Sequence, residues 1–272
     1  MKKKEKNFYI TTPIYYVNDV PHIGHAYTTV ICDTIANFNR WLGNKVNFLT
    51  GTDEHGQKVE KSALKANMDP QTFTDNVSTS FKKLASKLEI NNTDFIRTTE
   101  DRHIKSVKHL WNILVNKGDI YIDKYSGWYS IRDEAFYSND EIIEDKNGKK
   151  LAPNGSEVEW LEEPSYFFKL SSWQDKLLKF YEKNPDFISP KSRYNEVLSF
   201  VNGGLEDLSI SRTTFNWGIQ VPDNDDHVIY VWLDALTNYI SALDYPNKDS
   251  KNWKSFWPAD IHVVGKDILR FH

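Results

Sequence analysis

Two histidines, His22 and His25, stand where a strand and a loop lead into a helix. They are three residues apart, so their imidazole rings project from the same side of that helix. The first turn of a helix has backbone N–H groups without partners, and a phosphate can bind to them. Gly24 has no Cβ atom, so a flat ligand can approach the backbone closely. This pattern predicts stabilisation of charge on a transferring phosphoryl group, with helix capping and metal binding as the alternatives.

Other polar residues follow apolar segments that are predicted to be strands. Asp53 is a candidate to pair with a positive group of a substrate, such as an α-ammonium, although a helix N-cap is an equally good interpretation. Arg212 has a guanidinium that matches a phosphate as a fork, with a surface salt bridge as the alternative. Lys266 follows another apolar run and is either a phosphate-binding group or a surface residue.

The elements around these residues predict a β–α–β unit. Residues 8–12 form a strand, residues 26–42 a helix ended by Gly43, and residues 45–50 a second strand. On the helix, Ile31, Ile35, Phe38 and Leu42 form an apolar stripe that is expected to face the core. Ligands of open α/β sheets bind beyond the carboxyl ends of the strands, so the loops after both strands should share one crevice.

The rest of the chain changes character twice. Residues 57–118 are predicted to be mainly helical, with Asp69 and Pro70 starting one helix and a short strand at 94–98. Short aromatic strands at 121–123, 127–131 and 134–137, followed by helices at 172–183 and 194–201, predict an inserted domain. Residues 228–232 are predicted to form a buried parallel strand before a helix that carries Asp234, and residues 261–267 another strand.

Composition excludes several classes of protein. The 272 residues are 39% hydrophobic and 26% charged with a net charge of −4, so any contact with nucleic acid needs a local patch. Cys32 is the single cysteine, which excludes an internal disulfide and a zinc site built from cysteines, and it is predicted to be a core residue. The sequence contains no run of 18 apolar residues, so no membrane span is predicted. The basic start is not followed by the apolar run that a signal peptide needs. The expected compartment is the cytoplasm.

Several segments resemble one family, the methionyl-tRNA synthetases, which are class I aminoacyl-tRNA synthetases. The first segment holds the HIGH motif of that class. The resemblance runs from Phe8 to His272 and covers the first half of such an enzyme. The segments that carry it are TTPIYYVNDVPHIGHAYTT (11–29), TGTDEHGQKV (50–59), LSISR (208–212), YVWLDA (230–235) and HVVGKDILRFH (262–272).

The resemblance implies an α/β fold: a Rossmann-like, doubly wound parallel sheet interrupted by an inserted connective α+β domain. It divides the chain into a first catalytic half (1–118), a connective insertion (119–211) and a second catalytic half (212–272). The second half would end before the KMSKS-like loop and the anticodon-binding domain. Many members carry zinc knuckles in the insertion, but this segment has neither Cys nor His, so a metal-free insertion is expected.

The resemblance also implies roles for individual residues. The catalytic set is His22, His25, Arg212 and Lys266. The ATP-binding set is Tyr15, His22, Gly24, His25, Gly265, Lys266 and Asp267. The methionine-binding set is Ile14, Tyr16, Asp53, Trp232, Ala235, Leu236, Tyr239, Ile268 and His272.

The implied reaction joins L-methionine to ATP, with Mg²⁺ on the phosphates, to give methionyl-adenylate, and then transfers the methionyl group to the 3′ end of tRNA(Met). Without the lysines of the KMSKS-like loop this chain is expected to form adenylate poorly, because losing one charge-stabilising group costs about 10²–10³ in rate. Rival functions are a class I synthetase for leucine, isoleucine, valine or cysteine, a small HxGH nucleotidyltransferase, and a non-catalytic protein that binds methionine or tRNA.

Overall fold

The computed structural model describes residues 6–133, 135–137, 139–146 and 148–272. The strands are β1 (Asn7–Thr11), β2 (Tyr15–Tyr16), β3 (Lys45–Asp53), β4 (Asp94–Arg97), β5 (Ile120–Ser130), β6 (Ala135–Tyr137), β7 (Ile143–Glu144), β8 (Lys150–Leu151), β9 (Glu159–Phe168), β10 (Leu208–Ser209), β11 (Ser211–Arg212), β12 (Gln220–Val221), β13 (Asn224–Ile229) and β14 (Ile261–His262). The α-helices are α1 (Ile23–Trp41), α2 (Gln57–Lys65), α3 (Pro70–Lys87), α4 (Asp101–Asn116), α5 (Gln174–Lys183), α6 (Lys191–Asn202), α7 (Val231–Leu236), α8 (Asn238–Ser241) and α9 (Lys251–Phe256). Two 3₁₀ helices cover Leu170–Trp173 and Lys266–Phe271.

The central sheet has five parallel strands, which confirms the predicted α/β fold and its β–α–β start. β1 lies between β14 and β3, and Ile10 is opposite both Ile261 and Phe48. β4 also pairs with β3. After β1 the chain leaves the sheet at Pro13 and returns as β2, beside the last two residues of β3. The first loop and the end of β3 therefore lie together at the carboxyl edge of the sheet.

β3 is longer than the sequence indicated, because residues 51–53 continue the strand instead of starting a loop. Gly51 makes this possible by allowing β4 to approach closely. A Cβ atom at Gly51 would lie 2.1 Å from the carbonyl oxygen of Ile96. The extension carries Asp53 to the edge of the sheet as a strand residue, rather than as the helix N-cap that the sequence allowed.

Helix α1 packs on the sheet with a face that matches the predicted stripe only in part, since Ile35 packs against the buried residues. Its buried residues are Thr29, Cys32 and Ala36, while Phe38 is 57% exposed. Small side chains face the sheet because they allow the helix to pack closely against it. The prediction of Cys32 as a core residue is confirmed, and burial raises the pKa of its thiol to about 12. The predicted helix end is also confirmed, since Gly43 has φ +82°.

Between α4 and β10 the chain builds a separate antiparallel sheet in the order β10-β9-β5-β6. Two of the predicted short strands are one long strand, β5, and its partner β9 was not predicted. Of the predicted strand at 134–137, residue 134 lies outside the described residues. Helices α5 and α6 follow as expected. The division into domains at residues 118 and 211 stays a prediction.

The prediction of a buried parallel strand at 228–232 is wrong. β13 ends at Ile229 and pairs antiparallel with β11 and β12, in a sheet of its own. Its last three residues, 227–229, are buried, as in the predicted strand, but by antiparallel neighbours. Helix α7 then begins at Val231 with Tyr230 as N-cap, so Trp232 lies in the first helical turn.

Candidate active site

The two histidines cap helix α1 reciprocally. His22 is the N-cap, and its Nδ1 accepts a hydrogen bond from the backbone N–H of Gly24 at 3.1 Å. The Nδ1 atom of His25 accepts one from the backbone N–H of His22, also at 3.1 Å. The two rings stack with their centroids 3.8 Å apart. The capping alternative and the chemical interpretation are therefore compatible, because one arrangement provides both.

These bonds fix the tautomer of both rings. An imidazole nitrogen that accepts an N–H carries no proton, so in the neutral ring the proton lies on Nε2. Burial, and then the neighbouring His22, lower the pKa of His25 to about 4, which keeps its ring neutral near pH 7. The helix N-terminus thus presents two Nε2–H donors, which is the chemistry needed to stabilise charge on phosphate oxygens.

Tyr15 and Gly24 support this pair. The Tyr15 ring lies 4.8 Å from the His25 ring, and its hydroxyl group hydrogen-bonds to Thr29 at 2.7 Å. Tyr15 is buried, which raises the pKa of its hydroxyl group to about 12. A Cβ atom at Gly24 would lie 2.9 Å from Cε1 of His22. A side chain at this position would therefore push the His22 ring away from its capping position.

Asp53 is held at the end of β3 opposite Tyr16. Its backbone carbonyl accepts a hydrogen bond from Val17 at 3.2 Å, and its side chain is buried. A small pocket is lined by Asp53 and by the first turn of α7 at Val231. Tyr16 is partly buried and lies under the ammonium group of Lys58, 5.5 Å from the ring centroid.

The predicted methionine-binding residues on α7 and α8 lie near those of the first loop. Ile14 and Leu236 both pack against the buried cluster that includes Tyr239. Trp232 stacks on Phe271 with the ring centroids 3.9 Å apart. Ala235 is buried on the same short helix. The structure thus brings together residues that are more than 200 positions apart in the chain.

Two of the predicted methionine-binding residues, Tyr239 and His272, are hydrogen-bonded to each other. His272 Nδ1 lies 3.0 Å from the carbonyl oxygen of Ile268, so that nitrogen must donate. Nε2 of the neutral ring then accepts, and the Tyr239 hydroxyl group donates to it at 2.7 Å. The Tyr239 hydroxyl hydrogen and the His272 Nδ1 hydrogen are both engaged in these bonds. Either group would have to give up its present partner to donate to a ligand sulfur.

Gly265, Lys266 and Asp267 are exposed after β14. The Lys266 ammonium group pairs with Asp267 at 2.8 Å and is 67% exposed. A Cβ atom at Gly265 would contact nothing within 4 Å. The ATP-binding role of these residues stays a prediction, and their exposure leaves room for a ligand.

Arg212 lies in a different environment from the expected one. It is 2% exposed, so the alternative of a surface salt bridge is wrong. Its guanidinium lies 3.7 Å from the ring centroid of Tyr230, donates to Ser209 at 2.7 Å and faces Glu163 of β9, with Nε 3.7 Å from Oε1. The group is enclosed in this structure, which argues against a direct phosphate contact. We therefore leave Arg212 out of the proposed ATP site.

The sequence reasoning gave no role to several buried polar residues near the site. The carboxylate of Glu54 accepts two hydrogen bonds from Arg97, at 2.7 and 2.8 Å. Asp234 accepts hydrogen bonds from His55 and His103. Glu54, His55 and Asp234 lie inside segments that resemble the family, but only their long-range partners distinguish them from ordinary loop or helix residues.

Within the described part of the chain, no group of three or more His, Cys, Asp or Glu side chains is placed to hold a metal ion. The metal-free insertion stays an expectation. No helix among the described residues is both long and apolar enough to cross a membrane.

The sequence model of a family described as "tRNA synthetases class I (M)" matches residues 8–272. The chain is 65% identical to a methionine–tRNA ligase of Rickettsia bellii over 265 residues, which are 97% of this chain and 51% of that protein. It is 52% identical to methionine–tRNA ligase 1 of Bacillus cereus over 279 residues, covering 100% of this chain and 42% of that protein. The chain spans about half the length of the curated relatives it matches, or somewhat less.

Solved structures of a methionyl-tRNA synthetase are also similar to this chain. Mycobacterium tuberculosis methionyl-tRNA synthetase bound by methionyl-adenylate matches with a TM-score of 0.95 and 50% identity, over 98% of this chain and 53% of that one. The ligand-free form of the same enzyme matches with a TM-score of 0.84 and 46% identity, over 100% of this chain and 52% of that one.

Proposed function

The chain belongs to the class I tRNA synthetases, and from that premise we propose that its site activates L-methionine with ATP to form methionyl-adenylate. One observation carries the proposal. The two Nε2–H donors of the α1 N-terminus and the pocket beside Asp53 lie at the same carboxyl edge of the parallel sheet. The similarity to M. tuberculosis methionyl-tRNA synthetase bound by methionyl-adenylate supports the same assignment.

In this reaction a carboxylate oxygen of methionine attacks the α-phosphorus of ATP, and the bond from that phosphorus to pyrophosphate breaks. No protein nucleophile is needed, so the site acts by positioning and by charge stabilisation. His22 and His25 donate their Nε2–H groups to the oxygens of the reacting phosphate. Mg²⁺ enters with ATP as part of the substrate complex.

Methionine binds with its ammonium group at the Asp53 carboxylate and the Ile14 backbone, and with its side chain among Trp232, Leu236 and Tyr239. A thioether is polarizable and makes favourable contacts with aromatic rings. An apolar pocket alone separates side chains that differ by one methylene by only about 1–3 kcal/mol. Selection against leucine therefore calls for a polar contact to sulfur, from Tyr239 or His272 after one of them changes its present hydrogen bond.

In the longer enzyme to which such a site would belong, the methionyl group passes to the 3′ end of tRNA(Met). The expected setting is the cytoplasm. The rival is a protein that binds methionine or tRNA without chemistry.

Thermal stabilisation by methionine tests the proposal, with leucine and norleucine as controls. A ligand at a hundred times its Kd adds about 2.7 kcal/mol to the stability of the folded state. We expect a shift with methionine that exceeds the shift with either control. An equal shift with leucine would contradict the methionine assignment. Methionine-dependent exchange of pyrophosphate into ATP would then exclude the non-catalytic rival.

A further inference from the structure

Asp234 carries a buried carboxylate that has no part in the ligand contacts proposed above. We propose that Asp234, with His55 and His103, forms a positioning group that holds Asp53 at a fixed distance from helix α7 for the methionine ammonium. This inference rests on the proposed function and adds a determinant of substrate recognition to it.

The carboxylate is completely engaged inside the protein. Oδ2 accepts a hydrogen bond from Nδ1 of His55 at 2.7 Å, and Oδ1 accepts one from Nε2 of His103 at 2.8 Å. Asp234 is 1% exposed and His103 is fully buried. Burial by itself would raise the pKa of Asp234, but the two imidazoles outweigh it and lower the pKa to about 2. The group is thus a buried anion that contacts imidazoles rather than a ligand.

The network joins elements that are distant in the chain. His55 follows the end of β3, Asp234 lies in α7, and His103 lies in α4. The other ring nitrogen of His103 hydrogen-bonds to Ser241 of α8 at 2.9 Å. One carboxylate therefore connects the end of β3 to three helices, and two of those helices, α7 and α8, carry proposed methionine-binding residues.

In the loop between β3 and α2, the residues on either side of His55 are held by contacts outside the network. The side chain of Glu54 is held by Arg97, and its carbonyl oxygen accepts a hydrogen bond from the Trp217 indole at 2.5 Å. The backbone N–H of Gly56 donates to the carbonyl oxygen of Trp217 at 3.0 Å. Within this loop, His55 contacts α7 through its hydrogen bond to Asp234, so that bond ties the end of β3 at Asp53 to the helix.

The network lies at the pocket beside Asp53, so its loss should affect ligand recognition in a way that a general loss of stability would not. Asp53, His55, Val231 and Asp234 line the same small pocket. A displacement of His55 would move the neighbouring Asp53 carboxylate, whereas Trp232 is also held by stacking on Phe271 and Tyr239 by its hydrogen bond to His272. Loss of the network should therefore weaken recognition of the ammonium group more than recognition of the thioether.

The test compares two ligands on the whole chain. Methionine has both the ammonium group and the thioether, whereas des-amino methionine keeps the thioether and carboxylate and lacks the ammonium group. We expect Asp234→Asn to raise the Kd for methionine about tenfold or more, because a hydrogen bond to a charged group is replaced by a neutral one. The Kd for des-amino methionine should stay within about twofold of the parent value.

Two controls accompany this variant. Asp94→Asn is the matched substitution, because the Asp94 carboxylate also binds a residue of α4, Arg102 at 2.6 Å, but lies at the start of β4, level with Leu49 in the middle of β3 rather than with Asp53 at its end. It should change the Kd of neither ligand. His55→Ala should reproduce the effect of Asp234→Asn, and His55→Asn should restore methionine binding, since the asparagine amide can donate from a position close to that of Nδ1.

The outcomes are separable. An unchanged methionine Kd in Asp234→Asn, or an equal loss for both ligands, would overturn the positioning role. Should Asp234→Asn not fold, the His55→Ala and His55→Asn pair decides in the same way. A parent chain that binds neither ligand would contradict the proposed function, and the inference that rests on it would fall as well.

Discussion

At the scale of single residues, the backbone sets the chemistry of the imidazoles. His22 and His25 each accept a backbone N–H at Nδ1, whereas His272 donates from Nδ1 to a carbonyl oxygen. The same side chain is thus a donor through Nε2 at the α1 N-terminus and an acceptor through Nε2 in the proposed methionine pocket. Residue type alone does not decide this difference, because neutral imidazole has two tautomers.

The lowered pKa of His25 predicts how stability depends on pH. Its pKa is about 4 in the folded protein, and the ordinary value, expected in the unfolded chain, is 6.5. Between these values the unfolded chain binds the proton and the folded one does not, so the free energy of unfolding should fall as pH decreases from about 6.5 to 4. His25→Asn should remove the part of this decrease in the free energy of unfolding that His25 contributes. NMR titration of the ring and thermal unfolding across this range provide the check, and a His25 midpoint near 6.5 would contradict it.

At the scale of elements, the loop after β3 is fixed by a buried ion pair. Glu54 is fully buried, and both of its carboxylate oxygens accept hydrogen bonds from Arg97 of β4. Thr52 and Thr99 donate to the same carboxylate, each at 2.6 Å. Breaking such a pair leaves a buried charge without a counter-charge, which costs far more than the loss of an exposed pair.

Arg97→Met should therefore lower the free energy of unfolding by about 3–5 kcal/mol. Arg193→Met is the matched control, because Arg193 pairs with Glu196 on the surface of α6, and it should change stability by about 0–1 kcal/mol. Urea denaturation of both variants measures the difference. Similar losses in the two variants would show that the Glu54 carboxylate finds another partner.

At the scale of the whole molecule, the segment that carries the last site residues packs on α6. Val197, Val201 and Leu205 form a buried cluster, and Leu269 of the 3₁₀ helix Lys266–Phe271 packs against it. Arg270 extends the contact, since its guanidinium lies 5.8 Å from the ring centroid of Phe200. The pocket therefore depends on a part of the chain that contributes no predicted ligand contact.

Val201→Ala should loosen that segment from a distance. The side chain is 3% exposed, so its truncation should lower the free energy of unfolding by about 1–3 kcal/mol. It should also speed hydrogen exchange of the backbone amides in residues 266–272. Val115→Ala is the control, because Val115 on α4 is 42% exposed and the same truncation there creates no buried cavity. Unchanged exchange in residues 266–272 would indicate that the segment holds its position without α6.

The sequence alone determined the local parts of this protein. The order of strand, loop and helix around His22 and His25, the Asp69–Pro70 helix start and the Gly43 helix end all depend on nearby backbone groups, and the structure contains each of them. The β–α–β start was predicted for the same reason, and the α/β fold as a whole was what the family resemblance implied. Apolar periodicity and turn residues report what a short segment can form by itself.

Only the tertiary structure decided the partners across the chain. Arg212 is enclosed by Tyr230 and Glu163, Phe38 faces outward, β13 is antiparallel, and Asp234 joins His55 to His103. Each of these results depends on which elements lie side by side. A sequence pattern records the preference of a segment for burial, but not the neighbour that buries it, because that neighbour is selected by the packing of the whole chain.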